Sequence, residues 1–263
     1  MTTRLRRTGA VLATGSALAL SLTACGGDAA GAGSVAEAVA QGAATVGLDD
    51  CREKAPVDPE AAGVFGADEV RDAYCAAAAF TLDTSFVPGL AHRDADSHHE
   101  PGDFAFAAEH MTPGAADEWS KLVDAALATD SEDDDDDVKI ITLFDVHFDS
   151  GVEDGWVTTP AGGPTAVDVV VTPEHTAVQH NTVAGTLLEV SLTLTANLLV
   201  AEADGTVVYA PTAKEITYWM APGAGPSDPW LVSGWQGEFF TGETSATHPT
   251  APVTVDAPAT TAS

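Results

Sequence analysis

Apolar and polar positions recur with two different periods along this chain, dividing it into a helical half and a strand half. Residues 67–83 place Val70, Ala73, Tyr74, Ala77 and Phe80 three and four apart, with Asp68, Glu69, Arg71 and Asp72 mainly off that stripe. The spacing predicts an amphipathic helix ended by Pro88 and Gly89. Thr112, a good N-cap, precedes Pro113 at a first helical position, and Trp119, Leu122, Val123, Ala126 and Leu127 form one apolar face behind them. The acidic run Asp130–Asp137 is expected to stop this second helix, because negative charge opposes the dipole at a carboxyl end. The run itself is expected to be a disordered, self-repelling stretch.

From Val138 the period changes to two. In 140–149, Ile140, Phe144, Val146 and Phe148 alternate with Ile141, Leu143, Asp145, His147 and Asp149, which predicts a strand with the Phe side toward the core. Residues 166–172 predict another strand, with Val167, Val169 and Val171 on one side. The clearest alternation is 187–200, where Leu188, Val190, Leu192, Leu194, Ala196, Leu198 and Val200 oppose Glu189, Ser191, Thr193, Thr195 and Asn197. Asp204-Gly205 then turns the chain into a return strand over 206–220, in which Pro211 marks a bulge or an edge. Trp230–Phe240 is the last strand. One-sided strands in series after helices predict an α+β fold, in which N-terminal helices pack on a curved antiparallel sheet of about four to five strands.

The element order and the closing segment Tyr218-Trp219…Trp230-Leu231-Val232-Ser233-Gly234-Trp235 resemble the nuclear-transport-factor-like (ketosteroid-isomerase-like) superfamily over about residues 64–240. The resemblance implies a cone-like fold of helices first, then a curved sheet with one long hairpin and a last strand. Many members of that superfamily are not enzymes, and no catalytic residue of its isomerases aligns onto this chain. The resemblance therefore implies a fold and no activity.

The first residues read as a targeting segment. Arg4, Arg6 and Arg7 precede the apolar stretch 9–22, which is too short for an ordinary membrane span. Leu22-Thr23-Ala24-Cys25 resembles a bacterial lipobox. That resemblance implies diacylglyceryl transfer to the Cys25 thiol, cleavage before it and acylation of the new amino end, giving a lipoprotein anchored on the extracytoplasmic face of the cell membrane. The plainer alternative is ordinary signal cleavage near Ala24 beside an incidental cysteine. The expected organisation is a signal peptide over 1–24, a lipid anchor and Gly/Ala-rich leash over 25–45, a single α+β domain over 46–240, and a disordered Thr/Ala/Pro tail over 241–263.

Charge narrows the partners. All 40 acidic residues lie beyond Cys25 while three of the 10 basic ones lie before it, so the mature chain has 7 basic against 40 acidic residues, a net charge of −33. Such a surface repels nucleic-acid phosphates and anionic headgroups. Two cysteines remain, Cys51 and Cys75. In an exported chain an even remainder favours a disulfide over two buried thiols, and no Cys-x-x-Cys spacing points to redox catalysis.

Candidate chemistry is sparse. The stretch His92-Arg93-Asp94-Ala95-Asp96-Ser97-His98-His99-Glu100 is dense in metal-ligand types but matches no zinc spacing, and a solvated loop is favoured. Glu132 and Asp133–Asp137 lack the glycine and terminal glutamate of a calcium loop. No metal or cofactor is therefore expected. Asp145 and His147 share one side of the expected 140–149 strand and are the only candidates for a general-base pair, though the neighbouring phenylalanines would turn them toward solvent. Tyr218, Trp219, Trp230 and Trp235 are expected to pack across paired strands. The function expected is a non-enzymatic accessory lipoprotein that binds an envelope partner or a small apolar ligand. The alternative is an envelope hydrolase or isomerase using Asp145 and His147.

Overall fold

A computed structural model describes residues 48–87, 90, 99–128, 132–143, 156–158, 166–182, 185–202, 206–225 and 228–249. Helix α1 spans Pro59–Phe65, α2 Ala67–Ser85, α3 Pro113–Ala128 and α4 Glu132–Thr142, with short helical turns at Cys51–Lys54 and Ala105–Ala108. The strands are β1 (Trp156–Thr158), β2 (Ala166–Asn181), β3 (Gly185–Glu202), β4 (Val207–Ala221) and β5 (Leu231–Thr241). They form one open antiparallel sheet in the order β1-β3-β4-β5, with β2 also paired to β3. The fold is α+β, with helices packed on one face of that sheet. No helix among the described residues is long and apolar enough to cross a membrane.

The two expected helices form where the apolar stripes place them. The Asp58 side chain caps α1 by accepting from the Glu60 and Ala61 amides, and Pro59 takes the first position. Gly66, at φ 96°, ends α1 and starts α2 in one residue, a backbone conformation that favours glycine. All five stripe residues of α2, Val70, Ala73, Tyr74, Ala77 and Phe80, are buried. The Thr112 carbonyl accepts from Ala115 and Ala116 at the start of α3, while its own amide donates to the Val232 carbonyl, tying the helix entry to β5. Cys51 and Cys75 form a disulfide, Cα–Cα 5.6 Å, that clamps the chain before α1 onto α2.

The strand expected over 140–149 is not formed at its start, where residues through Thr142 belong to α4. Val138, Ile140, Ile141 and Thr142 are β-branched and favour strands by propensity, but tertiary packing overrides that preference. Val138 and Ile141, three apart, are both fully buried in the helix–sheet core. The acidic run also contradicts the expected disorder, since Glu132–Asp137 is helical. Acidic residue types suit the amino end of a helix, so the run that ends α3 starts α4. Gly237 lets β5 lie close against β4 beneath α4, because a Cβ there would lie 2.5 Å from the Glu215 carbonyl oxygen of β4 and 3.2 Å from Ile140 Cγ2 of α4.

The hairpin and last strand follow the sequence pattern closely. β3 and β4 pair without a break from Leu188↔Met220 to Ala201↔Val207. Pro211 pairs in register with Asn197, and β4–β5 pairing stops one residue away at Thr212↔Thr241, so Pro211 stands at an edge position and makes no bulge. The expected alternation in β3 holds through Ala196 and then changes face. Leu198 and Val200 are half-buried, whereas Asn197 and Leu199 are buried. Residues 242–249, expected to begin an unstructured tail, cause this change by returning over the other face. Ser245 exchanges backbone hydrogen bonds with Tyr209 at 2.8 and 3.0 Å, and His248 stacks edge-on against Tyr209.

Candidate functional site

The helix-covered face of the sheet is filled. Leu188, Val190, Tyr218, Met220 and Val232 are all 0% exposed, which leaves no room even for a water molecule beside these side chains. Phe80 meets Tyr218 edge-on at 5.9 Å between ring centres, and Trp119 meets Trp235 in the same way at 5.9 Å. Tyr218 and Trp235 stand opposite each other across β4 and β5, but the ring contacts of Tyr218, Trp235 and Trp230 are to helix residues and not across paired strands as expected. Trp230 Nε1 donates to Glu69 and Trp219 Nε1 to Glu189, so each indole also finds a polar partner.

A lysine is sealed inside. Lys214 is 0% exposed on β4, and its Nζ donates to Ser85 Oγ at 2.7 Å and to the Ile141 carbonyl at 2.9 Å. That carbonyl belongs to the last turn of α4, where unpaired carbonyls and the helix dipole favour a cation. Ser85 ends α2, so Lys214 joins two helix ends to the sheet.

The opposite face is open, and an outward groove of about 640 Å³ crosses it. Strand register places its side chains in successive rungs. In the first, Glu174 on the bulge of β2 accepts from Thr193 Oγ1 at 3.0 Å, Thr193 faces Glu215 on β4, and Glu215 faces Glu238 on β5. The second rung runs His175, Ser191, Thr217, Gln236, with Ser191 Oγ 2.7 Å from Thr217 Oγ1. The third runs Ala177, Glu189, Trp219, Gly234. Glu189 accepts from Trp219 Nε1 at 3.1 Å and lies 3.1 Å from His175 Nε2.

Ser191, His175 and Glu189 are the residue types of a hydrolase triad, but their geometry is not that of one. A relay needs the carboxylate on one ring nitrogen and the hydroxyl on the other. Here both approach His175 Nε2, at 3.1 and 3.5 Å. The three side chains form a hydrogen-bonded surface patch.

Among the sites read from the sequence, Cys25, Asp145, His147 and Asp149 lie outside the described residues, as do His92 through His98. His99 is buried against the Phe104 ring, and Glu100 and Asp103 cap the short turn Pro101–Phe104. Among the described residues no group of three or more His, Cys, Asp or Glu side chains is arranged to hold a metal ion. The groove residues and Lys214 were not singled out in the sequence. The polar half of the 187–200 alternation was the available signal, and it marks Glu189, Ser191 and Thr193 as one face without showing that His175 and Glu215 join them. No protein-family model matches the chain, and neither a curated protein nor a solved structure is significantly similar to it.

Proposed function

We propose that this chain is a lipid-anchored, extracytoplasmic accessory protein whose folded domain binds a protein partner through the open face of its sheet and performs no chemistry of its own. The contrast between the two faces carries this reading. The helix-covered side has no free space at its central positions, whereas the other side presents a polar groove across four strands. The polar lining of that groove suits a protein surface better than a small apolar ligand.

The leader with Arg4, Arg6 and Arg7 and the Leu22–Cys25 segment support the anchor and the cell-surface location. Two or three acyl chains at Cys25 give stable membrane attachment, at about 0.8 kcal/mol per buried methylene. A Gly/Ala-rich leash from residue 26 to about 45 gives the domain a reach of about 25 Å from the membrane. The order of helices followed by a sheet with one long hairpin agrees with the nuclear-transport-factor-like resemblance, which belongs to the same proposal.

Isolation of the full chain from native membranes in mild detergent tests the reading. A partner should co-isolate in constant ratio with the parent and with Asp124→Arg, on the exposed side of α3. Thr217→Arg, in the middle of the groove, should abolish co-isolation. The Cys25→Ala chain should take up no palmitate label and leave the membrane fraction. An unchanged yield of partner with Thr217→Arg, or no partner in constant ratio, would contradict the proposal.

A further inference from the structure

We infer that the partner meets this groove with a basic segment, an arginine or lysine side chain bridging Glu215 and Glu238. The inference rests on the open face being the docking surface. Glu215 and Glu238 stand directly opposite each other on β4 and β5, and both are exposed. Directly opposed side chains have Cβ atoms about 5 Å apart, and like charges there destabilise a sheet. Neither carboxylate has a cation partner among the described residues, and Glu174 adds a third carboxylate two strands away on the same rung.

The rest of the face explains why the cation must come from outside. Glu189 already has both oxygens engaged, by His175 and Trp219, so the groove does not lack hydrogen bonds in general. The unpaired pair is confined to one rung. No lysine or arginine lines the groove. The basic residues of the leader are lost on cleavage before Cys25. A planar guanidinium can donate to two carboxylates at once, and alternating residues of an extended segment would present side chains to the hydroxyl and amide groups of Ser191, Thr217 and Gln236 on the next rung. Charge excludes the other occupants. A second copy on this face would set carboxylates against carboxylates, and a nucleic acid or an anionic membrane would be repelled.

Fluorescence anisotropy with the purified full chain in detergent tests this, using a labelled peptide that alternates arginine with threonine. The Glu215→Gln/Glu238→Gln variant should bind it roughly tenfold more weakly than the parent, the loss expected for a close charge pair. Glu109→Gln/Asp124→Asn removes the same net charge from exposed positions in a turn and on α3 and should change binding by less than about threefold, since separated surface charges are screened. Equal losses in the two variants, or no binding by the parent, would overturn the inference. If Thr217→Arg abolishes co-isolation of the native partner and the Glu215/Glu238 variant retains it fully, the docking face stands and the basic segment does not.

Discussion

Tyr74 shows how one side chain reports the packing of the helices on the sheet. Burial, reinforced by the Glu174 carboxylate, pushes its phenol up from 10.0 to about 12. The folded chain therefore keeps this proton at pH values where the unfolded chain has released it. Its contribution to stability is complete below about pH 10 and is lost as pH rises toward about 12. Tyr74→Phe should flatten the fall of melting temperature over that window, and an unchanged slope would show that another group governs alkaline unfolding. Tyr74 was legible in the sequence because it lies on a helical stripe. Lys214 was not, because alternation gives a residue's face but not what seals it, and a lysine within Ala213-Lys214-Glu215 reads as surface. Its burial depends on Ser85 and Ile141, which are 129 and 73 residues away along the chain.

The elements themselves were legible where one face had a single environment. α2, α3 and β3 through Ala196 follow their stripes, since each buries one side against the same core, whereas Val207–Ala210 of β4 and Val232–Trp235 of β5 are buried in succession on both faces. Two departures share one physical cause, a second surface that local pattern does not reveal. α4 forms from a strand-like β-branched run because Val138 and Ile141 dock into the core, and the far end of β3 is buried on its other face because residues 242–249 cover it. Gly237 of β5 lies beneath α4, where a side chain would meet the β4 backbone and Ile140 together. Gly237→Ala should destabilise the domain by about 2–3 kcal/mol, as overpacking at a tight contact does. Urea midpoints of the two chains would measure it, and a midpoint unchanged within error would mean that α4 does not depend on that contact.

Over the whole molecule, the described residues combine a filled helix–sheet core clamped by the Cys51–Cys75 bridge with one open polar face. The bridge contributes about 3 kcal/mol by restricting the unfolded chain. The charge imbalance and the cysteine pair were visible in the sequence. The groove was not, because it is a property of strand register, which brings together residues as distant as Glu174 and Glu238. The candidates read from local sequence, Asp145 and His147, were chosen from one apparent strand, whereas the patch the fold assembles draws one residue from each of four strands per rung. That difference separates an enzyme reading from a binding reading, and the face that meets a partner in the cell decides between them.

Site-specific photocrosslinking of the full chain in living cells measures that face directly. A photoreactive residue at Gln236 in the groove should give one discrete high-mass adduct, and the same residue at Glu109, in a turn, or at Asp124, on α3, should give none. Adducts from those two positions with a silent Gln236 would contradict the account and move the interaction to the opposite side of the molecule.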